Sequence, residues 1–406
     1  ILSSKIRVTI IGVNYYPEDS AIGLYTTEKA EYLANNGFEV TVITGFPYYP
    51  QWKILESYQD KPLLFKEVIN GVKILRVKQY VPSSPSFIKR IVHLLSFTFG
   101  SIINLFKSSK SDIVIAIVPF TTSIFLGWLL KLRHSSKLWV HIQDFEFDAA
   151  VDSGLVNKNI KGIFKILLWA EKKLLNSANI TSTISQGMLN KLKEKTSTPC
   201  YYLTNWIDVS LFSKSHRQHH YLQSKKFKIL YSGNIGAKQD WDLFYKLIKE
   251  LQCFKDIEVI VVGDGAKKKS LTEKTKPFKF VKHHELIPYS DLPNLLMSAD
   301  AHILLQKKNV VDTVMPSKLL GMMASGKPSI VTGNCKSEVA TILKESNGGF
   351  YFSENLISEI KNNLLTLIED TDLRRKLGDN AQKYVKKNFS KENVLNNFSD
   401  EIKNMF

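Results

Sequence analysis

The chain has 406 residues, of which 44% are hydrophobic and 23% charged, and its formal net charge is +17 at pH 7. It is too long for one hydrophobic core, so two domains are expected. The composition excludes a disordered chain and a polytopic membrane protein. The 55 Lys and Arg residues against 38 Asp and Glu favour an anionic partner, such as nucleic acid, acidic lipid or a phosphorylated substrate, or else a solvated basic surface.

The first half of the chain alternates between apolar strands and helical patterns. Residues 7–13 predict a first strand rather than a signal peptide, because Tyr15-Tyr16-Pro17 follows in place of a small-residue cleavage site. After a loop ending at Gly23, a helical pattern stops at Gly37, and a strand at 40–44 completes a parallel βαβ unit. Further strands are predicted at 73–77, 113–117, 138–142 and 180–183. The alternation is typical of a doubly wound α/β domain.

The polar stretch 213–226 breaks this pattern, and we predict a linker there. It would separate an N-terminal Rossmann-like domain at 1–212 from a C-terminal one at 227–384. The second alternation predicts strands at 228–232, 258–262, 280–281, 301–305 and 328–332. Helices are predicted at 241–251, before Phe278, at 290–299, at 318–324 and from 356 to the end, with a last helix at about 385–406 packing back on the first domain.

Two glycine-rich turns follow strands of the second half, Gly233-Asn234-Ile235-Gly236 and Gly263-Asp264-Gly265. In an open α/β sheet this edge binds ligands, because glycines let backbone N–H groups approach phosphate oxygens at a helix N-terminus. Each pair alone is equally compatible with a simple tight turn. Lys268 stands where a dehydrogenase fingerprint requires a third glycine, which disfavours a nicotinamide site.

No metal or disulfide site is predicted. Cys200, Cys253 and Cys335 are far apart and form no C-x-x-C pair, which favours a reducing compartment. Asp370-Thr371-Asp372 looks like a metal-binding D-x-D motif, but it is better interpreted as a helix start. The adjacent His283 and His284 would point to opposite faces of a strand and could not chelate one ion.

Longer motifs lie in both halves of the chain. The first half contains Tyr15-Tyr16-Pro17-Glu18, Gly23, GFPYYPQW at 45–52, and His141-Ile142-Gln143-Asp144 with Asp148. The second contains Thr204-Asn205-Trp206-Ile207-Asp208, the two glycine turns, DTVMPSKLL at 312–320 and ASGKP at 324–328. Through these motifs nearly the whole chain resembles the retaining glycosyltransferases of family four. Within them it is similar to the fucosyl- and N-acetyl-L-fucosaminyltransferases of bacterial O-antigen, capsule and colanic acid gene clusters.

The resemblance implies the GT-B fold, in which two Rossmann-like doubly wound α/β domains face a cleft. It implies a retaining, metal-independent hexosyltransferase without cofactors. The donor would be a UDP-sugar, best UDP-N-acetyl-L-fucosamine, and the acceptor a saccharide on a polyprenyl diphosphate. The enzyme would be cytoplasmic, peripheral on the inner face of the bacterial plasma membrane, and would serve O-antigen, capsule or other surface polysaccharide biosynthesis.

The same resemblance assigns roles to individual residues. It places the donor diphosphate at Gly23, Gly233, Asn234, Lys238, Gly263, Gly265, Pro316, Ser317 and Lys318. It implies catalytic roles for His141, Asp144, Lys318 and Asp312, and an acceptor side formed by Tyr16, Glu18, Tyr48, Tyr49, Trp52 and Asp148. A cation at Lys318 makes physical sense, because fixed positive charge stabilises the charge that develops on a departing diphosphate.

The chain departs from the family pattern in two places. Many members carry a basic pair in the first glycine turn, where this chain has Asn234 and Gln239, with Lys238 one position early. The second glutamate of the usual motif falls on Gly321 and the first on Thr313, beside Asp312. We predict that Asp312 takes the place of that first glutamate. The alternative is that Asp312 only caps a loop.

A GDP-fucose or other hexose donor, or a sugar-nucleotide epimerase of the same fold, remains an alternative. A nucleic-acid-binding protein would require clustered arginines with aromatic residues, whereas most of the surplus charge here is scattered lysine.

Two segments favour a membrane surface. Residues 91–106 contain no Asp, Glu, Lys or Arg. This stretch of sixteen residues is preceded by the basic pair Lys89 and Arg90 and followed by a second pair, Lys107 and Lys110. The sixteen residues are too few and too polar to span a bilayer but suit a helix lying in the headgroup plane. The stretch 160–175 has an apolar stripe flanked by lysines. Ordinary domain helices packed on a sheet are the alternative for both.

Overall fold

A computed structural model of the chain describes residues 5–18, 21–84, 86–119, 121–145, 161–212, 217–309, 317–354 and 356–406. Its contacts group the chain into two compact units. The first is Ile1–Leu203 with Glu401–Phe406, and the second is Thr204–Asp400. This division falls before the predicted linker at 213–226, and Leu222 from that stretch is buried in the core of the second unit. Asp148, Asp312 and Pro316 lie outside the described residues.

The first unit is built on an eight-stranded sheet in the order β3-β4-β2-β1-β5-β6-β7-β8. The strands are β1 Arg7–Ile11, β2 Glu39–Gly45, β3 Leu64–Ile69, β4 Val72–Val77, β5 Ile113–Val118, β6 Lys137–Ile142, β7 Ile180–Thr183 and β8 Cys200–Tyr202. All neighbouring pairs are parallel except β3 and β4. Every residue of β5 is buried, as expected for a central parallel strand covered on both faces.

Six helices of this unit are described. They are α1 Ala21–Asn35, α2 Glu56–Gln59, α3 Phe87–Lys107, α4 Thr121–His134, α5 Lys161–Asn176 and α6 Gln186–Lys195. Helix α1 ends before Gly37, whose φ of +90° is the left-handed conformation that glycine tolerates after a helix. Ser185 caps α6, since its side chain accepts a hydrogen bond from the Met188 amide.

The second unit is built on a six-stranded parallel sheet in the order β11-β10-β9-β12-β13-β14. The strands are β9 Phe227–Ser232, β10 Ile257–Val262, β11 Val281–His284, β12 Ala301–Leu305, β13 Ser329–Thr332 and β14 Gly349–Phe352. The described helices are α7 Trp241–Leu251, α8 Lys268–Thr275, α9 Leu292–Met297, α10 Ser317–Ala324, α11 Glu338–Ser346, α12 Ile357–Glu369 and α13 Thr371–Asn388. A last helix, α14 Lys391–Asn404, begins in this unit and ends in the first, which includes Glu401–Phe406. Both units are therefore Rossmann-like α/β domains, as predicted.

Several predicted elements differ from the structure. Gly23 lies inside the first turn of α1 and not in the preceding loop. The predicted helix at 290–299 is a short 3-10 turn, Tyr289–Asp291, followed by α9. Strands β3, β8 and β14 were not predicted, because β8 and β14 are short and none of their residues is fully buried, and β3 alternates between half-buried and exposed residues.

Candidate functional site

The two glycine turns of the second unit lie against each other at the carboxyl edge of its sheet. The amide of Gly233 donates to the carbonyl of Val262 over 2.8 Å, and the amide of Ile235 donates to that of Asp264 over 2.7 Å. Gly233 and Gly265 adopt φ values of +121° and +149°, which other residues rarely tolerate. A Cβ at Gly263 would lie 2.1 Å from the Gly233 carbonyl oxygen, so only glycine permits this contact.

Lys318 stands beside the first of these turns. It lies in the first turn of α10, and its Nζ donates to Tyr231 Oη over 3.0 Å and to the Asn234 carbonyl over 3.2 Å. Its Nζ also lies 5.0 Å from the centre of the Tyr231 ring. Burial lowers the pKa of Lys318 to about 8. The structure thus brings a partly desolvated ammonium to the glycine turn, where an anionic ligand would raise its pKa and stabilise its charge.

The remaining predicted donor residues occupy different environments. Asn234 and Lys238 are exposed on the first turn. Gly321, where the usual second glutamate falls, is buried in α10, and a Cβ there would lie 3.0 Å from Leu296 Cδ1. This position faces the core, so a carboxylate there could not reach a ligand. Sequence reasoning missed Tyr231, which supports the Lys318 amine, and Trp241, whose indole N–H donates to the Gly236 carbonyl over 2.8 Å.

In the first unit, Glu18 joins two loops predicted to form the acceptor side. One carboxylate oxygen accepts from the backbone amides of Tyr48 and Tyr49 over 2.8 and 2.9 Å. The other accepts from the Asn14 amide group over 2.8 Å. Desolvation raises the pKa of Glu18, and the three hydrogen bonds oppose that rise. A Cβ on Gly23 would lie 2.8 Å from Glu18 Cβ, which explains a glycine in this turn of α1.

A pocket of about 160 Å³ opens beside these loops. Its lining includes Glu18, Tyr48, Tyr49, Gln51 and Lys53 together with Pro17, Pro47, Pro50 and Leu55. Tyrosine faces, proline rings and a few polar groups are the usual lining of a small-molecule pocket. Four of the predicted acceptor-side residues are thus close together: Glu18, Tyr48 and Tyr49 line the pocket, and Tyr16 is exposed beside Pro17.

Trp52, the remaining described acceptor-side residue, packs behind this pocket. Its ring lies 5.2 Å from that of Tyr48 and 5.7 Å from that of His93, measured between centroids. The guanidinium of Arg90 lies 5.3 Å from its ring centre. The backbone φ of Trp52 is +53°, in the left-handed region that is strained for a bulky residue. Such strained residues occur most often at functional sites. These contacts tie the first turns of α3 to the predicted acceptor loop.

Sequence reasoning also missed the buried charge that holds both loops. Arg76 on β4 is fully buried, donates to the carbonyls of Tyr16 and Gly45, and forms an ion pair with Glu67. Gln79 fixes the second loop by exchanging two hydrogen bonds with the backbone of Phe46. An arginine in the middle of a predicted buried strand was the signal that could have revealed this support.

The two predicted catalytic residues of the first unit, His141 and Asp144, differ in solvent exposure. His141, on β6, is 1% exposed, and both of its ring nitrogens are hydrogen-bonded, to Ser182 and Gln143. Burial lowers its pKa well below the ordinary value, and the charge of Lys29 lowers it further. Asp144 follows β6 and is exposed. In this conformation Asp144 is presented to solvent, whereas His141 lies in the interior.

Metal-like patterns have structural roles. Asp370 caps α13 by accepting from the Leu373 amide over 2.8 Å, which confirms the interpretation as a helix start. His283 contacts Thr275 Oγ1, whereas His284 stacks on Tyr221, so the two rings point apart as predicted. Within the described residues, no group of three or more His, Cys, Asp or Glu side chains is arranged to hold a metal ion.

Helix α3 has an unusual distribution of polar and apolar residues. Its buried side carries His93, Thr98, Ser101 and Asn104 beside Phe97 and Leu105. Its opposite side exposes Ile91, Val92, Leu95, Phe99, Ile103 and Phe106, with Phe99 66% and Phe106 68% exposed. Lys89, Arg90, Lys107 and Lys110 are exposed at its two ends. Helix α5 similarly exposes Ile166 and Trp169.

None of the helices in the described part of the chain is long and apolar enough to cross a membrane.

Comparisons with known proteins match both units. A model of the glycosyl transferase 4-like domain matches residues 20–199, and a model of glycosyl transferases group 1 matches residues 212–384. The chain is 33% identical to the Escherichia coli K12 protein named colanic acid biosynthesis glycosyl transferase WcaI, over 98% of this chain and 100% of that protein.

Solved structures share the fold at low sequence identity. The sucrose-phosphate synthase of Thermosynechococcus elongatus superposes with a TM-score of 0.72 at 13% identity, covering 99% of each chain. HepE of Anabaena, solved in complex with UDP, superposes with a TM-score of 0.66 at 14% identity, covering 98% of this chain and 100% of that one.

Proposed function

This chain belongs to the glycosyltransferases with the GT-B fold, and we propose that it transfers N-acetyl-L-fucosamine from UDP-N-acetyl-L-fucosamine to a saccharide on a polyprenyl diphosphate. The transfer would retain the anomeric configuration, require no metal ion and serve the biosynthesis of a surface polysaccharide. The observation that carries the proposal is the placement of Lys318 against the Gly233 turn, at the carboxyl edge of the second sheet.

That edge suits a nucleoside diphosphate. The open-sheet rule places ligands outside the carboxyl ends of the strands, and both glycine turns lie there. When the bond between the anomeric carbon and the diphosphate oxygen breaks, negative charge grows on the departing diphosphate. The Lys318 ammonium, already oriented by Tyr231 and the Asn234 carbonyl, would stabilise that charge without reorganisation. We propose the sugar of the donor from the family resemblance, and its uridine base from the same resemblance and from the fact that HepE was solved in complex with UDP.

The pocket beside Glu18 supports the acceptor half of the proposal. Tyr49 offers an exposed ring face and a hydroxyl group, and the exposed Gln51 offers an amide to sugar hydroxyls. Asp144 follows β6 on the edge of the same unit and is proposed to meet the reacting hydroxyl. Lys53 also lines the pocket, and its ammonium suits an anionic group on the acceptor.

The exposed side of α3 supports membrane contact. Six apolar side chains on one side of a helix, with two basic residues at each end, match an interfacial helix with its apolar face among the acyl chains. Each lysine or arginine near an anionic surface contributes about 1 kcal/mol. Because the lipid of the proposed acceptor cannot leave the bilayer, an enzyme bound to the inner leaflet would reach it.

Liposome flotation tests this membrane contact. We expect binding to vesicles that contain anionic lipid, weakening in high salt, and loss when Lys89, Arg90, Lys107 and Lys110 are changed to Gln. Phe99→Ser with Phe106→Ser should also reduce binding. Changing four exposed lysines of the second unit, Lys344, Lys376, Lys386 and Lys387, to Gln is the matched control and should leave flotation intact. A protein that stays soluble at low salt with anionic vesicles contradicts membrane contact, and a dimer disrupted by the Phe variants would identify the face as a subunit interface.

Transfer itself is tested with labelled donors. The purified chain is incubated with radiolabelled UDP- and GDP-sugars and a polyprenyl-diphosphate-linked saccharide, and label in the organic phase is counted. We expect label from UDP-N-acetyl-L-fucosamine to enter the lipid fraction. If label enters only from GDP-fucose, the donor is GDP-fucose and not a UDP-sugar. If the donor is isomerised and no sugar is transferred, the protein is an epimerase.

A further inference from the structure

Four buried side chains form a polar line on one face of the first sheet. Trp139, His141 and Gln143 alternate along β6 and just beyond its end, and alternate residues of a strand share a face. Ser182 on β7 is the register partner of His141. The line therefore runs along β6 toward the carboxyl edge of the sheet.

The hydrogen bonds along this line fix where the His141 proton resides. The Trp139 indole N–H can only donate, and Ser182 Oγ accepts it over 2.7 Å. The Gln143 amide nitrogen can only donate, so His141 Nε2, 2.9 Å away, must accept. A neutral ring with a bare Nε2 carries its proton on Nδ1, which then donates to Ser182 Oγ over 2.9 Å.

The surroundings keep the His141 ring neutral. Burial lowers the pKa of His141 well below the ordinary value. Lys29, a buried residue of α1, interacts with the ring, and in its charged form it further disfavours a proton there. Burial lowers the pKa of Lys29 itself to about 7. A ring of fixed tautomer can hold a neighbouring amide in one orientation.

The four residues of the line also differ in how close they lie to the protein surface. Trp139, His141 and Ser182 are at most 1% exposed. Gln143 is 6% exposed, lies beyond the last residue of β6 and is followed directly by the exposed Asp144. Its backbone amide donates to the Val118 carbonyl over 3.0 Å, which fixes its backbone at the end of the neighbouring strand.

We propose that His141 is a positioning residue whose Nδ1-protonated ring, held by Ser182 and Trp139, orients the Gln143 amide as the substrate-contacting group of this edge. This inference rests on the proposed glycosyl transfer and revises the catalytic role that the family resemblance implies for His141. A fixed amide beside Asp144 offers both a donor and an acceptor to sugar hydroxyl groups.

Nitrogen NMR of the histidine-labelled full chain tests the tautomer without any substrate. The His141 signals are assigned by their loss in His141→Phe. We expect a protonated Nδ1 and a bare Nε2 that do not titrate between pH 6 and 8, and a shift of the Nε2 signal in Gln143→Met. A proton on Nε2, or a ring that titrates in this range, would overturn the proposal.

A double-mutant cycle tests the action through Gln143. We expect Gln143→Met to lower kcat by roughly a hundredfold, the effect of losing positioning at a reacting centre. His141→Phe should lower kcat to a similar extent, and the double variant should lose no more than either single variant. Thr181→Val, which removes a buried hydroxyl from the same strand but outside this line, is the matched control and should keep wild-type kcat.

Ser182 provides the conservative rescue. Ser182→Ala should lower kcat and alter the His141 Nδ1 signal, and Ser182→Thr, which keeps the Oγ atom, should restore both. Losses of His141 and Gln143 that multiply in the double variant would show that the two residues act independently. A wild-type chain that transfers no sugar defeats the proposed function, whereas the NMR result still decides the hydrogen-bonded line.

Discussion

At the scale of single residues, Lys318 is the group on which the donor half of the site depends most. Its amine is held by Tyr231 and the Asn234 carbonyl beside the Gly233 turn. We expect Lys318→Ala to lower turnover by about a hundredfold or more, the scale of removing one oriented donor to a developing anion. Single-turnover rates measure this, with the exposed Lys344→Ala as control. An unchanged rate would remove Lys318 from the reaction.

The pKa of Lys318 predicts a pH dependence. Because burial lowers this pKa to about 8, the free enzyme loses the ammonium charge as the pH rises through that value. The kcat/KM for the donor should therefore be highest below pH 8 and fall above it. Lys318→Arg, which stays charged throughout this range, should flatten that fall. If the profiles of the wild type and the Arg variant decline together, another group controls the pH dependence.

At the scale of elements, Arg76 on β4 joins two loops that otherwise belong to different parts of the chain. It is 0% exposed, whereas the Glu67 side chain is 18% exposed. Removing one partner of a buried pair leaves the other charge uncompensated, so Arg76→Met should destabilise the first unit by about 3–5 kcal/mol. Urea unfolding followed by tryptophan fluorescence checks this prediction. The double variant Arg76→Met with Glu67→Leu should recover only part of the loss, because the Tyr16 and Gly45 carbonyls still lack their donor. A single variant within about 1 kcal/mol of wild type would contradict the role assigned to Arg76.

The sequence predicted these elements unevenly, for physical reasons. Buried parallel strands such as β5 are continuous apolar runs, so the sequence pattern alone predicted their positions. Strand β3 was missed although Asn70 and Gly71 both adopt the positive φ that a tight hairpin needs, because its exposed Val68 and charged Lys66 and Glu67 break the apolar signal. In α3 the apolar residues were visible, but only the structure shows that polar residues occupy its buried side.

The site residues divide in the same way. Glycines with forced backbone conformations, such as Gly233 and Gly265, follow from local turn chemistry and could be found in the sequence. Gln79 and Tyr231 could not, because their importance comes from contacts with residues far away in the chain. Arg76 was marked by its charge in a predicted buried strand, but its partners were not. The burial of His141 likewise depends on its register with β7, which no local pattern encodes.

For the molecule as a whole, we expect glycosyl transfer that requires no metal ion. The Lys318 ammonium would provide the positive charge that a divalent cation supplies in other enzymes. Transfer rates in excess chelator should therefore equal those in its absence. Loss of activity in chelator that manganese restores would refute this prediction.

A thermal-shift comparison of sugar nucleotides on the wild type and Lys318→Ala tests whether the second unit binds a sugar nucleotide through Lys318. A ligand at one hundred times its Kd stabilises the folded protein by about 2.7 kcal/mol. We expect UDP-N-acetyl-L-fucosamine and UDP to raise the midpoint of the wild type by several degrees and that of Lys318→Ala by clearly less. A midpoint that no UDP or GDP compound moves would contradict a sugar-nucleotide site at this edge of the second unit.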